Sequence, residues 1–279
     1  MSLWDYHTHN ELCKHAKGKV EEYVQSGIEK GLSEIGIADH FPMRLLPESA
    51  DVWRYAMEDN EFGPYLAEIR RLQQKYKNQI TIKVASEVDF FPAAFESYKK
   101  ALKPYYDELD YIIGSIHVVQ WPGVDAWGID DEKFLAQFRT YGTNKVYLEY
   151  LNAVTGMVKT HYYNIVGHMD LPKKFKILPD DPEMIWQKQL NLFDELEKAD
   201  MSVEINTSGF LKPVGEQYPS EKIIKELIQR RIAINLGSDS HDPKNVAFNF
   251  DIIAALLKKL GCTKLAQWNH HEKTMVAFE

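Results

Sequence analysis

Two periods of apolar residues alternate along the chain. Short apolar runs read as strands: Leu3–His9, Glu34–His40, Ile80–Glu87, Tyr111–His117, Asn164–His168, Met201–Asn206 and Ile232–Asp239. Glu34–His40 is apolar on both faces, as a strand inside a barrel or parallel sheet should be. Between these runs the spacing becomes helical. The predicted helices are Val20–Lys30, ended by Gly31; Pro64–Tyr76, with its proline tolerated in the first turn; and Ala93–Tyr106, closed by Pro104. A long amphipathic stretch, Asp131–Thr160, is broken near Tyr141 and Gly142, and Pro182–Lys198, Ser220–Gln229 and Lys244–Leu260 complete the set. Ser220 is the predicted N-cap of its helix. Gln267–Glu279 reads as a short closing strand or tail.

Seven strands alternating with helices predict parallel pairing through right-handed crossovers. No linker or repeat interrupts the pattern, so all 279 residues are expected to form one domain. Phe41–Phe62, rich in proline and aromatics, and Trp121–Ile129 are loops; long loops inside compact domains usually carry function. Whether such a sheet stays open or closes is decided by where the polar residues fall, and they favour a barrel of seven staves.

In a strand, residues two apart point the same way, so His7 and His9 aim at one place. The second run ends in Asp39 and His40, the third in Glu87, the fourth in His117, the fifth in His168, and the seventh in Asp239 and His241. His15 lies on the first strand-to-helix loop, Asn10–Lys19. Barrel enzymes gather chemistry where these loops converge. A lone strand-end histidine is most often a hydrogen-bonded core or surface residue, and a lone aspartate there is often a helix cap. Five strands delivering imidazoles to one rim call for another account. Imidazoles packed this densely repel when charged and are costly when unpaired; metal coordination removes both problems. The nine candidates (His7, His9, His15, His40, Glu87, His117, His168, Asp239 and His241) exceed what one ion uses and suit two or three divalent ions. Mixed nitrogen and oxygen donors fit Zn, Mn or Fe.

Composition narrows the partners. The balance 33 − 41 gives a formal charge of −8, which argues against nucleic acid. No apolar run approaches the roughly 20 residues of a membrane span. Two cysteines far apart, Cys13 and Cys262, exclude a disulfide framework, so a cytoplasmic home is expected. An anionic substrate on so acidic a chain needs a local positive centre, which bound dications would supply. The sequence does not fix an oligomeric state.

His7-Thr-His9, Ile37-Ala-Asp-His40, Glu87, Gly114-Ser-Ile-His117, Gly167-His168-Met-Asp170 and Gly237-Ser-Asp-Ser-His241 resemble, in order and over nearly the whole chain, the polymerase and histidinol phosphatase (PHP) superfamily. Chain size, Asn206-Thr-Ser-Gly209 and Trp127-Gly-Ile-Asp130 are similar to its histidinol-phosphate phosphatases. The resemblance implies an α/β fold, a distorted (β/α)7 TIM-like barrel, with a trinuclear site. It assigns His7, His9, Glu87 and Asp239 to one metal, Glu87, His117 and His168 to a second, and His15, His40 and His241 to a third.

Dications lower the pKa of water, orient a phosphate ester and neutralise its charge, so hydrolysis of a small-molecule phosphate ester is the expected chemistry. The resemblance implies L-histidinol phosphate as substrate. Asp170 is expected to protonate the leaving alkoxide or to orient a ligand imidazole. Arg44, Lys173, Lys174 and Lys212 are expected at the phosphate, and Trp53, Tyr55, Trp121 and Trp127 either wall a small organic substrate or pack over the barrel mouth. Cys13 reads as a packed thiol, and His161, His270 and His271 fall outside the site. The rival readings are a nucleotide or sugar phosphatase on the same barrel, a nuclease, and a metal-binding scaffold without turnover.

Overall fold

A computed structural model describes residues 3–278. Seven parallel strands form one sheet in the order β1 (Trp4–Asp5), β2 (Glu34–Ile37), β3 (Thr81–Asp89), β4 (Tyr111–Ser115), β7 (Ile165–Val166), β8 (Ser202–Asn206) and β9 (Ala233–Gly237). The sheet closes on itself: Tyr6 N–H donates to Leu236 O at 3.0 Å, His9 N–H to Ser240 O at 3.0 Å, and Thr8 bridges Ser240 in parallel. Helices α1 (Val20–Glu29), α2 (Phe62–Tyr76), α3 (Phe95–Leu102), α4 (Leu135–Tyr141), α5 (Thr143–Lys159), α6 (Pro182–Ala199), α7 (Glu221–Gln229) and α8 (Phe250–Lys259) occupy the crossovers. The expected seven-stave α/β barrel is what the chain forms. Its interior beneath the mouth is filled by Tyr6 and Tyr111, stacked at 4.8 Å, with the Tyr111 hydroxyl donating to Tyr6 O at 2.8 Å.

The departures from the expected elements have local causes. β1 and β7 shrink to two residues each because side chains take over the backbone amides. The Asp5 carboxylate accepts from His7, Ser238 and Ala247 N–H, and Glu204 accepts from His168 N–H at 3.0 Å. The break between α4 and α5 falls at Gly142, whose φ of 84° and ψ of 131° suit glycine alone. Ser220 does sit at the N-cap of α7, but its side chain makes no capping bond; its N–H donates instead to Asp170 Oδ2 at 2.9 Å. The last helix starts only at Phe250, after a 3-10 turn over Pro243–Asn245.

Two antiparallel hairpins lie outside the expected set. β5 (Val118–Val119) pairs with β6 (Trp127–Gly128) beside the mouth, burying Trp127. β10 (Lys264–Asn269) and β11 (Glu272–Ala277) form the C-terminal hairpin where a lone strand or tail was expected. It covers the opposite end of the barrel, where Trp4 Nε1–H donates to Ala266 O at 3.0 Å and Trp268 Nε1–H to Ser202 Oγ at 2.9 Å. Among the described residues no helix is long and apolar enough to cross a membrane.

Candidate metal centre

All nine expected ligands meet at the C-terminal mouth. His7 Nε2 lies 3.1 Å from His9 Nε2 and 3.4 Å from Glu87 Oε2, and His9 Nε2 lies 3.1 Å from Asp239 Oδ1. On the other side of Glu87, His168 Nε2 approaches Oε1 to 3.0 Å and His117 Nε2 to 3.7 Å. A third group is outermost, with His241 Nε2 2.8 Å from His15 Nε2. His40 sits between groups: its Nδ1 is 2.9 Å from Glu87 Oε2, and its ligating nitrogen also lies within 4.8 Å of those of His9 and His241. His168 and Asp239 hold positive φ values of 21° and 49°, strained backbone of the kind that concentrates at functional sites.

The tautomers suit these rings to the role of ligands. Five of the seven imidazoles donate Nδ1–H to a fixed oxygen: His7 to Glu204 (2.7 Å), His9 to Asp39 (3.0 Å), His15 to Cys13 O (2.9 Å), His117 to Asp89 (3.1 Å) and His241 to Asp239 O (3.0 Å). Each such bond leaves a bare lone pair on Nε2, the orientation typical of a ligating histidine. With both rings of a pair neutral, as ligation requires, the short contacts between His7 and His9, and between His15 and His241, set lone pair against lone pair. That arrangement is repulsive by itself and is relieved by a shared cation, so the residues present fit divalent ions.

Electrostatics divide the rings: the carboxylates favour positive charge at His7, His9 and His117, a proton in the ion-free site that a divalent ion would displace, and the outer pair His15 and His241 stays neutral. Burial is the largest influence on each group. For His7 it is outweighed by Glu204, Glu87 and Asp239, and for His9 by Asp239 and Asp39, so both rings are held well above the usual range. Burial lowers His117, but Asp89 and Glu87 carry it up to about 10. Burial raises Glu87 and Asp239, yet the surrounding imidazoles hold both well below the carboxylate range. Loss of hydration among the crowded rings, with His40, presses the His15 imidazole down to about 4, and burial with His9 depresses His241, so these two rings are neutral and ready to ligate. A pocket with this many buried carboxylates attracts cations strongly.

Three of the acids that orient the ligands were not expected from the sequence. Glu204, in β8, reads there as an ordinary strand residue; Asp89, at the end of β3, lies two residues past the expected end of the third strand at Glu87, and Asp5 lies inside the first strand. The signal available for Glu204 was its place two residues before Asn206, on the same strand face; Asn206 Nδ2–H donates to Glu204 Oε2 and to Asp239 Oδ2. Ser208 also donates to Asp239 Oδ2, at 3.0 Å.

The cluster floors a cavity of about 520 Å³. Met43, Val52 and Tyr55 of the long loop form one wall, Asp130, Asp131 and Glu132 belong to another, and Lys174, Phe175, Ser208, Lys212 and Tyr218 line the rest. Of the expected phosphate contacts, Lys174 and Lys212 line this cavity, whereas Arg44 and Lys173 do not. Arg44 pairs with Asp59, and Lys173 is buried against Asp170, Glu216 and Gln217 O, because burial of its ammonium demands oxygen partners. Asp170 is also outside the lining: it binds Lys173 and Ser220 N–H, and burial raises its pKa. Tyr55 is a wall as expected; Trp53, Trp121 and Trp127 are not. Cys13 is buried and free, and His271 stacks on Tyr106 at the far hairpin.

Fold and site together define a seven-stranded parallel α/β barrel with a multinuclear metal centre at its mouth. The PHP domain family model matches residues 5–208, and the chain belongs to that family. It is 34% identical over 249 residues to a Deinococcus radiodurans protein named probable histidinol-phosphatase, covering 89% of this chain and 90% of that one. Identity with the Bacillus subtilis histidinol-phosphatase is 25%, over 90% of this chain and 98% of the relative. A candidate histidinol phosphatase from Listeria monocytogenes superposes with a TM-score of 0.82 at 25% identity, covering 89% of this chain and 99% of that one. The Lactococcus lactis histidinol phosphate phosphatase, solved with zinc, L-histidinol and phosphate, shares the fold with a TM-score of 0.76 at 23% identity, over 98% and 99% of the two chains.

Proposed function

We propose that this protein hydrolyses L-histidinol phosphate to L-histidinol and phosphate. The observation that carries the reading is the convergence of nine ligand side chains at the mouth of a PHP barrel, in a chain whose curated relatives include histidinol-phosphatases. One divalent ion would be held by His7, His9, Glu87 and Asp239, a second by Glu87, His117 and His168, and a third by His15 and His241, with His40 within reach of the first two groups as well as this one. Such ions stabilise charge on the phosphoryl oxygens and make water more acidic.

The chain's own residues do the rest. Lys174 donates to Asp130 O and Oδ2 at 2.8 and 2.9 Å, which fixes its ammonium at the cavity wall. Asp130 raises the Lys174 pKa against the effect of burial, so the group stays cationic and draws a phosphate toward the cluster. Lys212 adds a second cation at the rim. Asp131 and Glu132 line the same cavity, and they favour a substrate whose far end carries a protonated amine. Tyr55 and Phe175 supply flat apolar walls suited to an imidazole. The test is phosphate release by the metal-supplemented protein from a panel of L-histidinol phosphate, nucleoside monophosphates and sugar phosphates. The reading expects the highest kcat/KM on L-histidinol phosphate, and a preference for a nucleotide or sugar phosphate would overturn it.

A further inference from the structure

We propose that Tyr218 is a substrate-contacting residue of this site, its phenol O–H donating a hydrogen bond to an oxygen of the bound phosphate group. The proposal rests on the phosphatase reading above and adds a catalytic residue to it. Tyr218 is 1% exposed, yet it lines the cavity beside Ser208 and Lys174, and its hydroxyl has no hydrogen-bond partner within the protein. Buried hydroxyls are almost always partnered, and one left without a partner carries its whole desolvation cost. A hydroxyl in that condition, on a ring that lines a pocket built for an anion, is a donor waiting for an acceptor that comes with the ligand.

The ring is held rigidly. Its backbone pairs with Asn206 on both sides, Tyr218 N–H donating to Asn206 O at 2.9 Å and Asn206 N–H to Tyr218 O at 2.6 Å. Lys173 Nζ stands 5.4 Å from the ring centroid, a cation-π contact. Gly209 leaves room on the other side, since a Cβ there would stand 2.9 Å from Tyr218 Cε2. Asp170 and Lys173 therefore serve the segment that carries Tyr218: Lys173 binds Glu216 and Gln217 O, and Asp170 binds Lys173 and Ser220 N–H. Burial first, and then Asp170, Asp130 and Asp239, disfavour the phenolate, so the group is a donor and not a base. A donor fixed in advance toward a charged oxygen is the arrangement that stabilises a transition state most.

The test is Tyr218→Phe, which removes the hydroxyl and keeps the ring. The proposal expects kcat on L-histidinol phosphate to fall about 10²–10³-fold, the usual effect of losing one preorganised donor. It also expects weaker binding of inorganic phosphate to the metal-loaded protein, with a melting temperature equal to or above that of the wild type. Retention of kcat/KM within about threefold of wild type would overturn it, as would a loss of activity accompanied by a lowered melting temperature. If the wild type hydrolyses no ester, the phosphatase reading fails by itself. Calorimetric titration with inorganic phosphate then still decides the role of Tyr218, since weaker binding by the variant supports it and equal binding refutes it.

Discussion

Glu204→Gln probes the orientation of the ligands without touching one. The carboxylate is fully buried and accepts three hydrogen bonds: His7 Nδ1–H on Oε1 at 2.7 Å, and His168 N–H and Asn206 Nδ2–H on Oε2, both at 3.0 Å. An amide cannot satisfy that set. With its NH2 toward His168 and Asn206 it sets two donors against donors, at about 1–3 kcal/mol for each group left unsatisfied. With its NH2 toward His7 it keeps both bonds on the other side, and the imidazole can accept only by moving its proton to Nε2. The second arrangement is cheaper and puts the proton on the atom that faces His9 and Glu87. The metal-free variant should therefore melt close to wild type, while affinity for the ion bound by His7 drops about 10–100-fold. Zinc titration against a chromophoric chelator measures the second quantity and a thermal melt of the metal-free protein the first. Wild-type affinity at every site would refute the tautomer account.

Other outcomes follow from the same structure. His117→Ala should abolish turnover with little unfolding, because that ring lines the cavity among the candidate ligands and is not part of the packed interior; near-normal phosphate release would contradict its proposed role. Asp131→Asn keeps the polar group that caps Lys133 N–H but removes the charge, so KM for L-histidinol phosphate should rise about two- to fivefold while KM for an aryl phosphate that carries no amine stays constant. Glu21 is held down at about 2 by Lys75, Tyr76 and Arg71. Its folded value lies below the unfolded one of about 4.3, so the network stabilises the protein above that pH and its contribution is lost as pH falls through 2. Urea unfolding of Glu21→Gln should accordingly show a small deficit, at most about 1 kcal/mol for so exposed a pair, at neutral pH, and that deficit should shrink steadily as pH falls from about 4 toward 2.

What the sequence carried and what it hid divide along physical lines. His7 and His9 were legible because strand geometry alone makes residues two apart converge, and His117, His168 and His241 because strand ends in a closed parallel sheet share one rim. The acids behind the ligands were not. Glu204 and Asp89 look like any strand carboxylate until burial and a partner ring are known, and both depend on contacts to other strands. Asp170 shows the converse: its position two residues after a ligand suggested the substrate, but the chain at 216–220 folds back over it and claims the carboxylate for Ser220 and Lys173. Lys173 and Lys174 are neighbours with opposite fates, one buried in that scaffold and one lining the cavity. Tyr218 could not be foreseen, since its importance lies in having no partner. The C-terminal hairpin was read as a strand or tail because His270 and His271 form its turn, both with positive φ, in place of the usual glycine or asparagine.

The central claim is that the barrel gathers nine donors to hold more than one ion. Counting metal in the purified protein after saturation and desalting, by elemental mass spectrometry, tests it most directly. The account predicts at least two divalent ions per chain, with one fewer after His7→Ala; a wild-type content below one ion per chain would contradict it.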